Sequence, residues 1–192
     1  MYRRWSKTRS LAASVYLPVC PCLQTYQFPL KRKQSDDSWG KIDLLGVSPD
    51  LLPVPNELKM RTSSDSPLRM LIEVAAYGFA LRAAWPELRA DWESCMSGRF
   101  GHCPEMPAEL DDKIHLVGVA PVEYWEACLG RDPNIRARRV PHRAWGPFWQ
   151  LVDKFAEYFE THFAAVHGTW EGDDCLPTVS GATPFDLRAE TS

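Results

Sequence analysis

Residues Trp39 to Met60 read Trp-Gly-Lys-Ile-Asp-Leu-Leu-Gly-Val-Ser-Pro-Asp-Leu-Leu-Pro-Val-Pro-Asn-Glu-Leu-Lys-Met. Ile42, Leu44, Leu45 and Val47 surround Asp43 in a short apolar run, which predicts a strand buried on most of both faces. Ser48-Pro49-Asp50 is turn chemistry, so a hairpin is expected. On its second strand Glu57 and Lys59 have period-two spacing and share a face, with Leu58 turned the other way. Two carboxylates and an ammonium then meet beside a hydrophobic sheet. Carboxylates in such a place are costly unless they bind a cation, and an oxygen-only site of one or two carboxylates plus water suits Mg²⁺ or Mn²⁺. Pro53 and Pro55 complicate the second strand, because a proline donates nothing to a ladder. Pairing there is expected to be edge-like or bulged, or to begin only at Asn56.

Asp43, thirteen intervening residues and then Glu57-Leu58-Lys59 resemble the active-site hairpin of the PD-(D/E)XK, or restriction-endonuclease-like, nuclease superfamily, here in a small branch of it. The succession of elements from about residue 41 to about residue 170 is similar too. In that family the Asp and Glu hold the metal and the Lys orients and activates the attacking water. The resemblance implies Asp43 and Glu57 as metal ligands, and Asp43, Glu57 and Lys59 as catalytic residues. It also implies Mg²⁺ or Mn²⁺ as cofactor, nucleic acid, with DNA favoured, as partner, and an α/β fold whose mixed central sheet is flanked by helices. The family usually places an acidic helix before this hairpin, whereas residues 1–34 contain no Asp or Glu.

After Lys59, Ser66 is suited to cap a helix and Pro67 to open it; Leu68 to Trp85 is apolar enough for a largely buried helix, and Pro86 is expected to kink or restart it. Arg69, Glu73 and Tyr77 recur every four residues as one polar stripe. The bland reading is an ion pair and a tyrosine at the core edge. The functional reading turns the stripe toward the site, much as a Gln-x-x-x-Tyr motif does in the exonuclease branch of the superfamily, with Glu73 in place of the Gln as an accessory acid and Arg69 and Tyr77 near the nucleic acid. Ile114 to Ala120 reads as a fully buried strand, followed by a short helix that Gly130 closes. Gly146-Pro147 is expected to start another helix through Phe155 and Phe159, and a last strand is expected near Phe163 to Trp170.

Length and composition leave room for one domain. With 192 residues and 45% hydrophobic content, the chain has enough apolar material for a core. The expected organisation is a poorly structured basic extension (1–25), a nuclease-like α/β domain (26–170) and a flexible tail (171–192). The net charge of −3 is not that of a generally basic nucleic-acid binder, but the charge is local. Seven Lys/Arg fall in residues 1–34, and five Arg (131, 136, 138, 139 and 143) stand against Asp132 alone between 131 and 143. Arg136, Arg138, Arg139 and Arg143 are the candidate phosphate contacts; a solvated surface is the alternative.

The six cysteines form no pair of CxxC motifs, so ordinary reduced thiols and a cytoplasmic location are expected. The basic opening and the apolar run 11–20 are similar to a signal peptide, but Pro18 and Pro21 interrupt the run. Nothing approaches the roughly 20 apolar residues of a membrane helix, so no membrane partner is expected. No Walker loop, Gly-x-Ser-x-Gly, dinucleotide fingerprint or His-Glu-x-x-His is present. His115 reads as a core histidine, and His162 and His167 as unrelated residues around a helix end. The expected function is a metal-dependent nuclease; the alternative is a nuclease-fold domain that binds nucleic acid or a protein without turnover.

Overall fold

The computed structural model describes residues 19–20, 22–29, 41–110, 113–132, 139–169 and 178–192. Six strands form one sheet in chain order: β1 (Cys22–Pro29), β2 (Lys41–Val47), β3 (Pro53–Leu58), β4 (Ile114–Pro121), β5 (Phe159–Thr169) and β6 (Thr178–Pro184). Pairing is antiparallel from β1 to β3, parallel through β3, β4 and β5, and antiparallel again to β6. Helices α1 (Pro67–Phe100), α2 (Val122–Leu129) and α3 (His142–Phe155) occupy the two parallel crossovers, and α4 (Leu187–Thr191) follows β6. The chain is therefore α/β with a mixed sheet and flanking helices, the coarse architecture that the resemblance implies.

The two prolines of β3 sit in register, Pro53 opposite Val47 and Pro55 opposite Leu45. Alternation explains how a strand between two neighbours accommodates them. The Lys59 amide bonds the Val119 carbonyl of β4 at 2.9 Å, so the odd-numbered amide positions of β3 face β4. Pairing with β4 covers only Asn56 to Leu58. The donors that Pro53 and Pro55 lack would point toward β4, ahead of Asn56 where its pairing with β3 begins, and the β2 ladder loses nothing. At the hairpin tip Leu51 takes a positive φ of 63°, and the Trp92 indole donates to its carbonyl at 2.7 Å. The tip is thereby pinned to α1.

Helix α1 begins as its sequence predicts, with the Ser66 hydroxyl accepting from the Arg69 amide at 3.3 Å and Pro67 in the first turn. It runs through Pro86 as one helix of 34 residues and ends on Gly101 at φ 77°, so it does not restart at Pro86. Buried Trp85, beside that proline, donates its indole N–H to the Pro107 carbonyl. The helix lies very close to the sheet. A Cβ on Gly78 would stand 2.8 Å from Leu116 and Phe159, and one on Gly118 would stand 2.5 Å from Met70.

The core residues of α1, α2 and α3 meet the sheet face carrying Leu116, Phe159, Phe163 and Ala165. Cys20, Val54, Val117, Val119 and Ala164 form a separate buried cluster on the reverse face. Four boundaries differ from the sequence expectation. Residues 178–192, expected in a flexible tail, add strand β6 and helix α4 to the domain, and β1 begins at Cys22, inside the expected extension. Helix α3 starts at His142, with Pro147 inside it. Phe159 and His162 belong to β5, because eight residues of parallel pairing with β4 override the helical spacing of Phe155 and Phe159. Among the described residues no helix is long and apolar enough to cross a membrane.

Candidate functional site

Glu57 pairs with Gly118 of β4, and Gly118 faces Met70 of α1, so Glu57 and Lys59 project toward α1. Both are nearly inaccessible, with 4% and 5% of their surfaces exposed. The β2–β3 register reaches Leu44 opposite Asn56. One step further stands Asp43, on the same side as Leu45. Its Oδ2 accepts from the Leu58 amide at 3.1 Å. That amide faces β2 just beyond the last paired residues, so the side chain of Asp43 takes over the acceptor role of the ladder.

Lys59 is the centre of the cluster. Its Nζ lies 2.8 Å from Glu57 Oε1, 3.0 Å from Asp65 Oδ2 and 2.5 Å from Glu73 Oε2. An ammonium has three N–H donors, and all three are used. Burial by itself would lower the Lys59 pKa, but the bonds to Glu57, Glu73 and Asp65 hold it above its ordinary value. Lys59 is thus a fixed ammonium.

Arg69 closes the outer side, bonding Glu73 Oε1 at 2.9 Å and approaching Asp65 Oδ1 at 3.3 Å. The stripe on α1 accordingly faces the hairpin. Burial would raise Glu73, yet the bonds from Lys59 and Arg69 leave it below the usual carboxylate range. Tyr77, one turn further along, is pushed up to about 12 by burial and by the negative charges of Glu57 and Asp43. Its phenol remains a proton donor at any physiological pH.

Glu57 is the strained member. One oxygen serves Lys59, while Oε2 is buried with no hydrogen-bond partner among the described residues. Burial pushes its carboxyl up to about 8; Lys59 opposes this, and the Asp43 charge and Glu73 add to it. A buried, unpartnered carboxylate oxygen beside a second carboxylate is satisfied by a proton or by a cation. The Asp43 and Glu57 donors are hard oxygens and fit Mg²⁺ or Mn²⁺, with water completing the coordination. Asp65 and Glu73 are tied to Lys59 and Arg69 and remain outside that pair.

The structure therefore brings together Asp43, Glu57, Lys59, Arg69, Glu73 and Tyr77, the residues that the hairpin and the helix stripe single out. Asp65 joins them without having been selected as a site residue; its position at the start of a capped helix, six residues after Lys59, is the signal that could have found it. The described arginines of the run are placed elsewhere. Arg139 packs over Gly130 at the end of α2, Arg143 is exposed in the first turn of α3, and Arg136 and Arg138 lie outside the described residues. His115 is no isolated core residue, because its Nδ1 meets His162 Nε2 at 3.0 Å. No family model, curated protein or solved structure matches this chain.

Proposed function

We propose that the chain hydrolyses phosphodiester bonds of nucleic acid, DNA in the first instance, with Mg²⁺ or Mn²⁺ held by Asp43 and Glu57. The observation that carries this reading is the buried, unpartnered Oε2 of Glu57 beside Asp43. A purely structural network would gain nothing by leaving that oxygen without a partner. The resemblance of Asp43, Glu57 and Lys59 to the PD-(D/E)XK hairpin points the same way, and the mixed sheet is compatible with a restriction-endonuclease-like core.

Bound there, the metal would supply positive charge to the phosphoryl oxygens and lower the pKa of a water. Lys59 stays charged and adds hydrogen bonds and positive charge at the same spot; an ammonium held above its ordinary pKa is no base. Turning one N–H from Asp65 or Glu73 toward a phosphoryl oxygen or the water would place it to orient the attack. Tyr77 offers a second O–H donor from the helix side. Arg69, whose side chain is 64% exposed, stands at the mouth, where a backbone phosphate would meet it before the buried groups. Arg139 and Arg143, with Arg136 and Arg138, are candidates for more distant phosphates.

One observation favours a second reading, a domain that binds nucleic acid or a protein without turnover. All three donors of Lys59 are engaged by carboxylates, so its hydrogen bonds are satisfied without a metal or a phosphate. Single-turnover cleavage of single- and double-stranded DNA with Mg²⁺ or Mn²⁺, paired with calorimetric Mg²⁺ titration, separates the two. Under the nuclease reading wild type cuts, Asp43→Asn loses both metal and cleavage, and Lys59→Ala keeps metal while turnover falls by orders of magnitude. Wild type that binds DNA but neither takes up metal nor cuts establishes the second reading. Cleavage by Lys59→Ala at the wild-type rate removes Lys59 from the mechanism.

A further inference from the structure

We propose that His115, Glu160 and His162 form a transition-metal site for Zn²⁺ on the sheet face opposite Asp43 and Glu57. The sheet builds it. His115 of β4 is in register with Glu160 of β5, and Val117 with His162, so period-two alternation puts all three side chains on one face. That face is the reverse one. Gly118 and Phe163, which face α1, are each an odd number of residues away, and the same side carries Val117 and Ala164 of the second buried cluster. Among the described residues, these three are the set of His, Cys, Asp or Glu whose donor atoms converge.

The dimensions match a metal. His115 Nδ1 lies 3.0 Å from His162 Nε2 and 3.3 Å from Glu160 Oε2, separations that ligands about 2.0 Å from one tetrahedral ion have, and closing the 3.9 Å gap between His162 Nε2 and the exposed Glu160 Oε2 completes the set. Hydrogen bonding alone uses the arrangement poorly. A ring nitrogen has a single in-plane direction, for one proton or one lone pair, yet His115 Nδ1 faces both His162 and Glu160. A cation at the centre satisfies all three donors at once.

Two imidazoles select Zn²⁺ or a neighbouring first-row ion over Mg²⁺. The side chains of His115 and His162 are 21% and 29% exposed and that of Glu160 is 54% exposed, so an ion can enter from solvent, and a fourth position remains for water. Val117 and Ala164 supply an apolar floor. Burial and the neighbouring His115 hold the His162 imidazole below its usual pKa, the direction that favours ligation. This site is independent of the proposed phosphodiesterase centre, since it shares no residue with it.

The test is calorimetric titration of the full chain with Zn²⁺ alone, with X-ray absorption at the zinc edge on the loaded protein. Wild type should take up one Zn²⁺ with nitrogen and oxygen neighbours, including two imidazoles and no sulfur. His162→Ala should lose at least about 100-fold in affinity, more than the loss of an outer-shell partner. Glu160→Gln, at an exposed side chain that folding does not depend on, should lose about 10-fold, and it carries the test if His162→Ala does not fold. Asp43→Asn should bind this Zn²⁺ as wild type does. Sulfur ligands, no uptake by folded wild type, or unchanged affinity in Glu160→Gln and His162→Ala would overturn the assignment. Loss of the Zn²⁺ in Asp43→Asn would also overturn it, because the ion would then belong to the opposite face.

Discussion

The Leu58 amide donates to Asp43 Oδ2 at 3.1 Å, so the proposed metal ligand of β2 also ends the ladder between β2 and β3. Its two oxygens have different duties. The one facing Leu58 is structural, and the other is free to turn toward Glu57. Asp43→Ala and Asp43→Asn both remove the charge that repels Glu57, but only Asn keeps an acceptor for the amide. Leaving a partly buried donor unpaired costs about 1–3 kcal/mol. Urea denaturation at pH 7 should therefore place Asp43→Ala below Asp43→Asn by that amount, while neither variant supports cleavage. Equal midpoints would mean that the Leu58 bond contributes nothing.

Removing the ammonium at the centre of three carboxylates should be more costly. Lys59→Met leaves Glu57 buried beside Asp65 and Glu73 with only the exposed Arg69 to balance them, and breaking a buried ion pair from one side costs about 3–5 kcal/mol. Because Asp65 and Glu73 are 27% exposed, the lower end is expected at pH 7. Glu73 has a folded pKa below its ordinary 4.5, so its contribution is present above that value and lost as pH falls. The gap between wild type and Lys59→Met should therefore hold from pH 7 down to about 4.5 and narrow as the pH falls below that value. A gap that stays constant would show that the three bonds are energetically idle.

Close contact between α1 and the sheet is what aims Glu73 and Tyr77 at the hairpin, and Gly78 permits it. Alanine in a helix is favoured over glycine by about 1 kcal/mol, but here its Cβ would meet Leu116 and Phe159 at 2.8 Å. Overpacking of this kind costs about 1–3 kcal/mol. Thermal denaturation of Gly78→Ala should show net destabilisation, and turnover should fall as the stripe shifts. A higher melting temperature would refute the tight packing.

The hairpin and the helix stripe were legible because each rests on a short period: two for Glu57 and Lys59, four for Arg69, Glu73 and Tyr77. The prolines looked like obstacles because a sequence does not say which neighbour a strand's donors face; Pro53 and Pro55 are harmless only in the observed register. The commitment of Lys59 to three carboxylates was not legible, since Asp65 arrives through a turn whose path depends on α1. The histidine group was hidden for a similar reason. His115 and His162 are 47 residues apart, and their meeting depends on a parallel register that no local pattern specifies. Helical spacing of Phe155 and Phe159 moreover concealed the strand that carries Glu160 and His162.

The last prediction concerns the proton on Glu57. Its folded pKa of about 8 stands above the ordinary 4.5, so the folded state binds this proton more tightly than the unfolded chain does. The sign follows directly: between those two values the unfolded state holds fewer protons, and the contribution of Glu57 to stability falls as pH rises from 4.5 toward 8. Glu57→Gln should abolish that part of the slope and gain on wild type at pH 8 without added metal. At pH 7 the raised value keeps this carboxyl largely protonated. A cation taking its place beside Asp43 must expel that proton. Calorimetric Mg²⁺ titrations at pH 7, in buffers of different ionisation enthalpy, should then report proton release on binding in wild type and none in Glu57→Gln. Mg²⁺ uptake without proton release would mean that the ion binds elsewhere, and Glu57 would lose its place as a ligand.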